Sequence, residues 1–237
     1  ASAGDLNLIA GYHLNNPPKS FMENRELKGI IIDIVDLLTP RLRDRGITIQ
    51  LAGSYPFARI EHLMKNNRIQ LYFGASKSPD REKVFSFSRT PLYNLRLVFA
   101  HQFGQSFDYT GQASLRGKRV GTIRGTYSSQ LIKEMPDVMV EEVASVTQNF
   151  EKLIRGRIDL IFYHNLGLGW ERRNEKYAGR VSFAKTPLRE NQHYVIYTRQ
   201  VPRDVIDTID AEVLKLKKEG AIGLILQRYG IQNNTYR

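Results

Sequence analysis

With 237 residues, 41% of them hydrophobic, the chain can bury a full core as one large domain or two small ones, at about 100 to 200 residues each. It has no cysteine, which excludes disulfides, thiolate zinc sites and thiol nucleophiles, and it lacks the run of about 20 apolar residues that a membrane-crossing helix needs. Its 35 Lys and Arg outweigh 24 Asp and Glu for a net charge of +11. That favours anionic partners, but the basic residues come in small groups (Arg41, Arg43, Arg45; Lys118, Arg119; Arg172, Arg173; Lys215, Lys217, Lys218), and no nucleic-acid partner is expected without a basic arm or groove-reading motif.

In chain order, 5–10 alternates as a strand, and the polar residues from Gly11 to Asn16 break it before Pro17 and Pro18 hold the next segment extended. After Gly29, Ile34, Leu37, Leu38 and Leu42 recur at helical spacing, with Pro40 expected to bend that helix. Ile47, Ile49 and Leu51 mark a second strand, 57–65 a helix with Ile60, Leu63 and Met64 inward, and 69–73 a third strand. This β-α-β-α-β order predicts a parallel sheet with helices on its faces. After a strand at 96–100 the unit recurs: strand 118–123, helix 126–135 with Leu131, Ile132 and Met135 on one face, strand 139–143, helix 147–155, strand 158–162. IEHLMK from Ile60 matches FEKLIR from Phe150 in character, and RIQLYF from Arg68 matches RIDLIF from Arg157. Copies about 90 residues apart suit two similar lobes better than a solenoid. A strand at 194–197 and helices with Val205, Ile209, Val213 and Leu216, then Ile222, Ile225, Leu226 and Tyr229, end the pattern. The expected lobes are 1–96 with 193–237, and 97–192, crossed by two strands, with the ligand at the carboxyl edges of the sheets in a shared cleft.

The third strand runs into Gly74, Ala75, Ser76, Lys77, Ser78, Pro79, Asp80 and Arg81. Small residues and hydroxyls at a strand end leave N–H groups to be satisfied, and Arg81 adds a planar fork of donors suited to a carboxylate. The competing reading is a solvated turn with a surface arginine. The five histidines, His13, His62, His101, His164 and His193, lack metal-ligand spacing. Without a nucleophilic triad, phosphate loop or nucleophile elbow, no catalytic residue, metal or cofactor is expected.

Six landmarks stand in order: PPKSF from Pro17, GIIIDIV from Gly29, SKSPDREKVFSFS from Ser76, LRGKRVGTIRGT from Leu115, LIRGRIDL from Leu153 and EGAIGLILQRYG from Glu219. With these the chain resembles, over nearly all its length, the bacterial extracellular (periplasmic) solute-binding proteins of family 3, the polar amino-acid-binding type. The resemblance implies an α/β fold of two doubly wound lobes joined by two hinge strands, the type II periplasmic-binding-protein architecture, closing like a flytrap on a small solute. It implies a periplasmic protein of a Gram-negative cell that captures a carboxylate-bearing solute for an ABC permease. Arg81 would meet the carboxylate, assisted by Ser76 and by main-chain N–H groups in the Gly74–Ser78 stretch. Thr126 and Tyr127 would add N–H groups and a hydroxyl at a helix start in the second lobe.

The departures carry further expectations. Family members that bind amino acids hold the ammonium with an acid five residues beyond a strand aspartate matched here to Asp159, where His164 stands. A second acid commonly precedes a stacking aromatic in the first strand-helix loop, where Tyr12, His13 and Asn16 stand. With histidines replacing both acids, the solute is expected to be a carboxylate that lacks the ammonium; the competing reading is that Glu190 or Asp108 substitutes. Tyr12, Tyr55, Tyr93, Tyr127 and Tyr163 are aromatic candidates for the cleft, and Trp170 for the core of lobe two. The same lobes would also suit the sensory domain of a membrane receptor, such as a sensor kinase or cyclic-nucleotide enzyme, whose membrane segment would follow Asn233–Arg237. A cyclohexadienyl-dehydratase-like lyase would need paired acids, and histidines occupy the candidate positions. No secretory signal is visible, and Ala1–Ala3 reads as a mature start or a cloning scar.

Overall fold

The computed structural model describes residues 6–231; the readings of Ala1–Ala3, Asp5 and Asn233–Arg237 lie outside them. The first part of the chain forms β1 (Leu6–Tyr12), β2 (Phe21–Glu23), β3 (Glu26–Lys28), α1 (Ile30–Arg43), β4 (Ile47–Ser54), α2 (Phe57–Lys65), β5 (Leu71–Ser76), α3 (Pro79–Val84) and β6 (Ser86–Phe87). There follow β7 (Tyr93–Gln102), β8 (Arg119–Ile123), α4 (Tyr127–Lys133), β9 (Met139–Val143), α5 (Val146–Ile154), β10 (Leu160–His164), α6 (Asn165–Arg172) and β11 (Val181–Phe183). The chain closes with β12 (Arg189–Tyr197), α7 (Arg203–Lys218) and α8 (Ala221–Arg228). It divides into two compact units: one takes the residues up to Asn94 and from Gln192 onward, the other Leu95–Asn191.

In the first unit β1 lies between β4 and β5 and is parallel to both, and β12 runs antiparallel to β5. The crossover through α1 leaves β1 to one side and the crossover through α2 returns past it to the other. The crevice outside the ends of β1 and β5 is therefore the point where the connections reverse, and open α/β sheets take ligands there. The helix expected after Gly29 is α1. It buries Ile30, Ile31, Ile34, Val35, Leu38 and Leu42 and continues through Pro40 to Arg43. Leu37, expected inward, is 39% exposed, because the stripe from Ile31 through Ile34, Val35 and Leu38 to Leu42 is centred to one side of it. Gly29, ahead of α1, has φ 135°, and a Cβ there would lie 2.3 Å from the Lys19 carbonyl oxygen. That carbonyl accepts the Ile31 N–H at 3.0 Å and the Pro18 carbonyl accepts the Ile30 N–H at 2.9 Å, so the PPKSF turn is clamped onto the start of α1.

The second unit repeats the plan. β8 lies between β9 and β10, parallel to both, and β10 and β11 run antiparallel to β7. The connections reverse between β8 and β10. Phe150, Leu153, Ile158, Ile161, Tyr163 and Tyr177 are among its buried core. The registers make the repeat explicit: Gly11 of β1 pairs with Tyr72 of β5, and Gly121 of β8 with Ile161 of β10. Several elements exceed what the patterning predicts. The β2–β3 hairpin turns on Asn24 and Arg25, both at positive φ; β5 continues to Ser76; β12 starts at Arg189; and α3, α6, β6 and β11 were not expected.

Candidate functional site

At the carboxyl edge of the first unit's sheet, the predicted turn is a strand end followed at once by a helix. Gly74 takes φ 89°, and a Cβ there would fall 2.9 Å from the Tyr93 hydroxyl and 3.1 Å from Lys19 Cε. Two residues on, β5 ends at Ser76. Ser78 caps α3, its Oγ accepting the Arg81 N–H at 3.3 Å, with Pro79 in the first helical turn. This turn folds Arg81 back over the strand. Its side chain is 5% exposed; Nε donates to Glu61 Oε1 at 2.7 Å, Nη1 donates to the Ser76 carbonyl at 3.1 Å, and Cζ sits 4.6 Å from the Phe57 ring centroid. Two of the five guanidinium N–H groups are thereby used to fix its plane. The surface-arginine reading does not describe this side chain.

A second cation lies at the same edge. Lys19, 5% exposed, donates from Nζ to the Gly74 carbonyl at 2.8 Å and stands 5.6 Å from the Tyr72 ring centroid. Burial first, and the nearby Arg81 charge second, lower its ammonium to about 7. His13, just past β1, is in turn held below the ordinary imidazole value by burial and by Lys19. Its carbonyl accepts the Ser20 hydroxyl. Tyr12 ends β1, and its carbonyl accepts the Tyr55 N–H at 3.1 Å. Asn16 pairs through its backbone with Lys19 and Ser20, closing the turn that carries Lys19.

In the second unit, the predicted residues stand at the corresponding edge. Thr126 caps α4: its Oγ1 accepts the Ser129 N–H at 3.3 Å and donates to the Ile123 carbonyl at 2.7 Å. The Tyr127 hydroxyl accepts from Arg189 Nη1. His164, last residue of β10 and 5% exposed, caps α6 with Nδ1 accepting the Gly167 N–H at 3.0 Å. Nδ1 therefore carries no proton, which places the proton of the neutral ring on Nε2. Gly167 allows this approach, since a Cβ would fall 2.8 Å from the Tyr163 ring.

In the first unit the structure gathers Gly74, Ser76, Ser78 and Arg81 at the end of β5, with Tyr12, His13 and Asn16 at the end of β1 and beyond it; in the second, Thr126, Tyr127 and His164 stand at that unit's own sheet edge. Of the substitute acids, Asp108 accepts the Thr186 N–H at 2.8 Å and its hydroxyl at 3.0 Å, which hold its carboxyl below the usual range, and Glu190 is exposed. Among the aromatic candidates, Tyr93 and Tyr163 are buried and Tyr55 is 38% exposed. Trp170, half-buried, lies under Arg173, whose Cζ is 4.5 Å from its ring. Sequence reasoning missed Lys19 and Glu61. A lysine inside PPKSF and a glutamate shared by both copies of the repeat were the available signals, and neither reveals its partner. Among the described residues no His, Cys, Asp or Glu cluster could hold a metal ion, and no helix is long and apolar enough to cross a membrane.

Residues 8–232 match the model of the bacterial extracellular solute-binding proteins, family 3. A curated relative, the putative ABC transporter arginine-binding protein 2 of Escherichia coli strain K12, is 25% identical over 90% of this chain and 86% of its own. Among solved structures, a mutant of ArgBP from T. maritima superposes with a TM-score of 0.81 at 20% identity, over 94% of each chain. The amino acid ABC transporter substrate-binding protein AbpA from Streptococcus pneumoniae, bound to L-arginine, gives 0.81 at 16% over 98% of this chain and 97% of its own. The GluR0 ligand-binding core from Nostoc punctiforme, in complex with L-glutamate, gives 0.79 at 23% over 94% and 99%. These likenesses show the fold, the type II periplasmic-binding-protein architecture.

Proposed function

Because this chain belongs to the bacterial extracellular solute-binding proteins, family 3, we propose that it captures a small carboxylate-bearing solute, amino-acid-like or an organic acid, in the periplasm of a Gram-negative cell and delivers it to an ABC permease. It acts as a binder, with no bond made or broken. The relatives named for arginine, and the structures holding L-arginine or L-glutamate, concern ligands that share an α-carboxylate and an α-ammonium, and the carboxylate is the group suited to Arg81.

The observation that carries the reading is Arg81. A guanidinium fixed by Glu61, the Ser76 carbonyl and the Phe57 face keeps Nη2 and one Nη1 proton for a guest, at the edge where connections reverse. N–H groups along Gly74–Ser78 support the same carboxylate. His13 and His164, in place of acids, remove the demand for an ammonium on the solute, and Tyr12 and Asn16 shape the first loop around it.

A charge-assisted hydrogen bond of this kind is worth about 1.5 to 3 kcal/mol. Calorimetric titration with carboxylates should therefore show Arg81→Ala binding at least tenfold more weakly, with Arg81→Lys intermediate because a point charge replaces the fork. Unchanged affinity in both variants would reject the assignment.

A further inference from the structure

Lys19 is a buried cation that the capture of one carboxylate leaves unexplained. The clamped turn ahead of α1 aims its Nζ at the Gly74 carbonyl, 2.8 Å away, and among the described residues it makes no ion pair. Its one hydrogen-bond acceptor is a neutral oxygen, the like charge of Arg81 bears on it, and it is 5% exposed. Burying an ammonium without a counter-charge is costly, and an aliphatic side chain would fill the place without that cost. Its position is informative. The carbonyls that hold Lys19 and Arg81 belong to Gly74 and Ser76 of one strand, so they lie at most roughly 7 Å apart. That separation suits the two acid groups of a short dicarboxylate.

We propose that Lys19 is a specificity-determining residue for a second acidic group, so that the solute is a small dicarboxylate with one carboxylate on Arg81 and the other on Lys19. This rests on the reading that Arg81 takes a carboxylate, and narrows it to a ligand class unlike the cationic amino acid for which one relative is named and which another holds. An anion seated against Nζ opposes the burial and repulsion that hold the amine near 7, so binding at alkaline pH takes up a proton. The groups around it are His13 from the loop after β1, Tyr72 on β5, Arg81 on α3 backed by Glu61 on α2, and, beyond Gly74, Tyr93 of β7 with His193 of β12. His13 also faces Lys19, so the Lys19 variant is needed to assign the proton.

The test is calorimetry on the whole chain with matched pairs, succinate against succinamate and L-glutamate against L-glutamine, at pH 6.5 and 8.5 in buffers of different ionisation enthalpy. The wild type should bind each dicarboxylate at least tenfold more tightly than its amide at pH 6.5 and take up a proton with it at pH 8.5. Lys19→Met should bind the members of a pair alike and lose the proton uptake. Equal affinity within each pair for the wild type, or a preference that survives Lys19→Met, overturns the proposal. Should Lys19→Met fail to fold, the wild-type proton uptake decides, its absence counting against Lys19. Monocarboxylates that bind through Arg81 as tightly as dicarboxylates refute Lys19 alone, whereas carboxylate binding indifferent to Arg81→Ala refutes the function proposed above.

Discussion

The two units use one supersecondary piece for opposite ends. In both, a helix bearing an inward apolar face and a glutamate runs into a strand of nearly the same sequence, RIQLYF or RIDLIF. In the first unit that glutamate, Glu61, orients a buried arginine at the sheet edge. In the second its counterpart, Glu151, accepts from the Tyr177 hydroxyl at 2.7 Å and pairs with Lys176, closing the core. The edges differ accordingly. The first presents two buried cations, Arg81 and Lys19, while the side-chain groups of the second, at Thr126, Tyr127 and His164, are engaged in capping and local pairing. Similar backbone geometry therefore does not imply similar chemistry: what separates the halves is which partner each repeated group reaches.

The sharpest way to break the comparison lies beneath the sheets. Gly11 and Gly121 hold equivalent registers, but a Cβ at Gly121 would fall 2.4 Å from Asn149 Oδ1 and 2.6 Å from Ile158 Cδ1, whereas at Gly11 the nearest atoms are side-chain methyls of Ile69 and Ile60 at 3.0 and 3.2 Å. Asn149 is fully buried and has little room to yield. Gly121→Ala should cost about 1 to 3 kcal/mol and Gly11→Ala less than about 1 kcal/mol, as measured by chemical denaturation. Equal costs would show that the two helix-on-sheet contacts are packed alike.

The response to pH divides the units in another way. Lys19, near 7 when folded and about 10.4 in an unfolded chain, has shed in the folded state a proton that the unfolded chain still holds between those values. Stability of the ligand-free protein should therefore rise from pH 7 toward 10, by up to about 1.4 kcal/mol per pH unit from this group. Lys217, lowered to about 8 by burial, acts with the same sign. The second unit behaves in the opposite range. Asp159, held below the usual carboxylate value by Arg119, gives stability that is present above about pH 4 and lost as acid protonates it. Thermal melts of wild type and Lys19→Met across pH 7 to 9.5 check the first effect; parallel curves would remove Lys19 as its source.

Much of this division was legible in the sequence, and the part that was not has a physical reason. Alternation and helical spacing located the β-α-β-α-β units because the buried faces of α1, α2 and α5 must be apolar. Elements held by backbone geometry left no such trace. The β2–β3 turn uses Asn24 and Arg25 where glycine signals a hairpin, α6 hides behind Gly167 and Gly169, and the polar start of β12, from Arg189, does not read as a strand. Ser76 and Arg81 stood out because small residues and a guanidinium are unusual at a strand end. Lys19 and Glu61 did not, because a charge in a sequence reads as a solvated face until a fold brings its surroundings to it.

The smallest effect separates the twin glutamates themselves. Glu61 does two things to Arg81: it fixes the guanidinium through Nε and it offsets part of the charge that a solute would meet. Glutamine keeps an acceptor at the same reach but drops the charge, so Glu61→Gln should tighten carboxylate binding by about two- to fivefold, the size expected for removing a like charge several ångströms from the guest at an effective dielectric near 20 or above. Glu151→Gln should leave affinity unaltered and lower the melting temperature, since Lys176 and Tyr177 hold that carboxyl below its ordinary range and stabilise the folded unit in doing so. Titration and melting of the two variants side by side would show the effects exchanged or shared if the glutamates had the same work. A Glu61→Gln protein that binds carboxylates more weakly would mean that the ionised carboxylate, rather than an acceptor alone, is what keeps the Arg81 plane turned toward its guest.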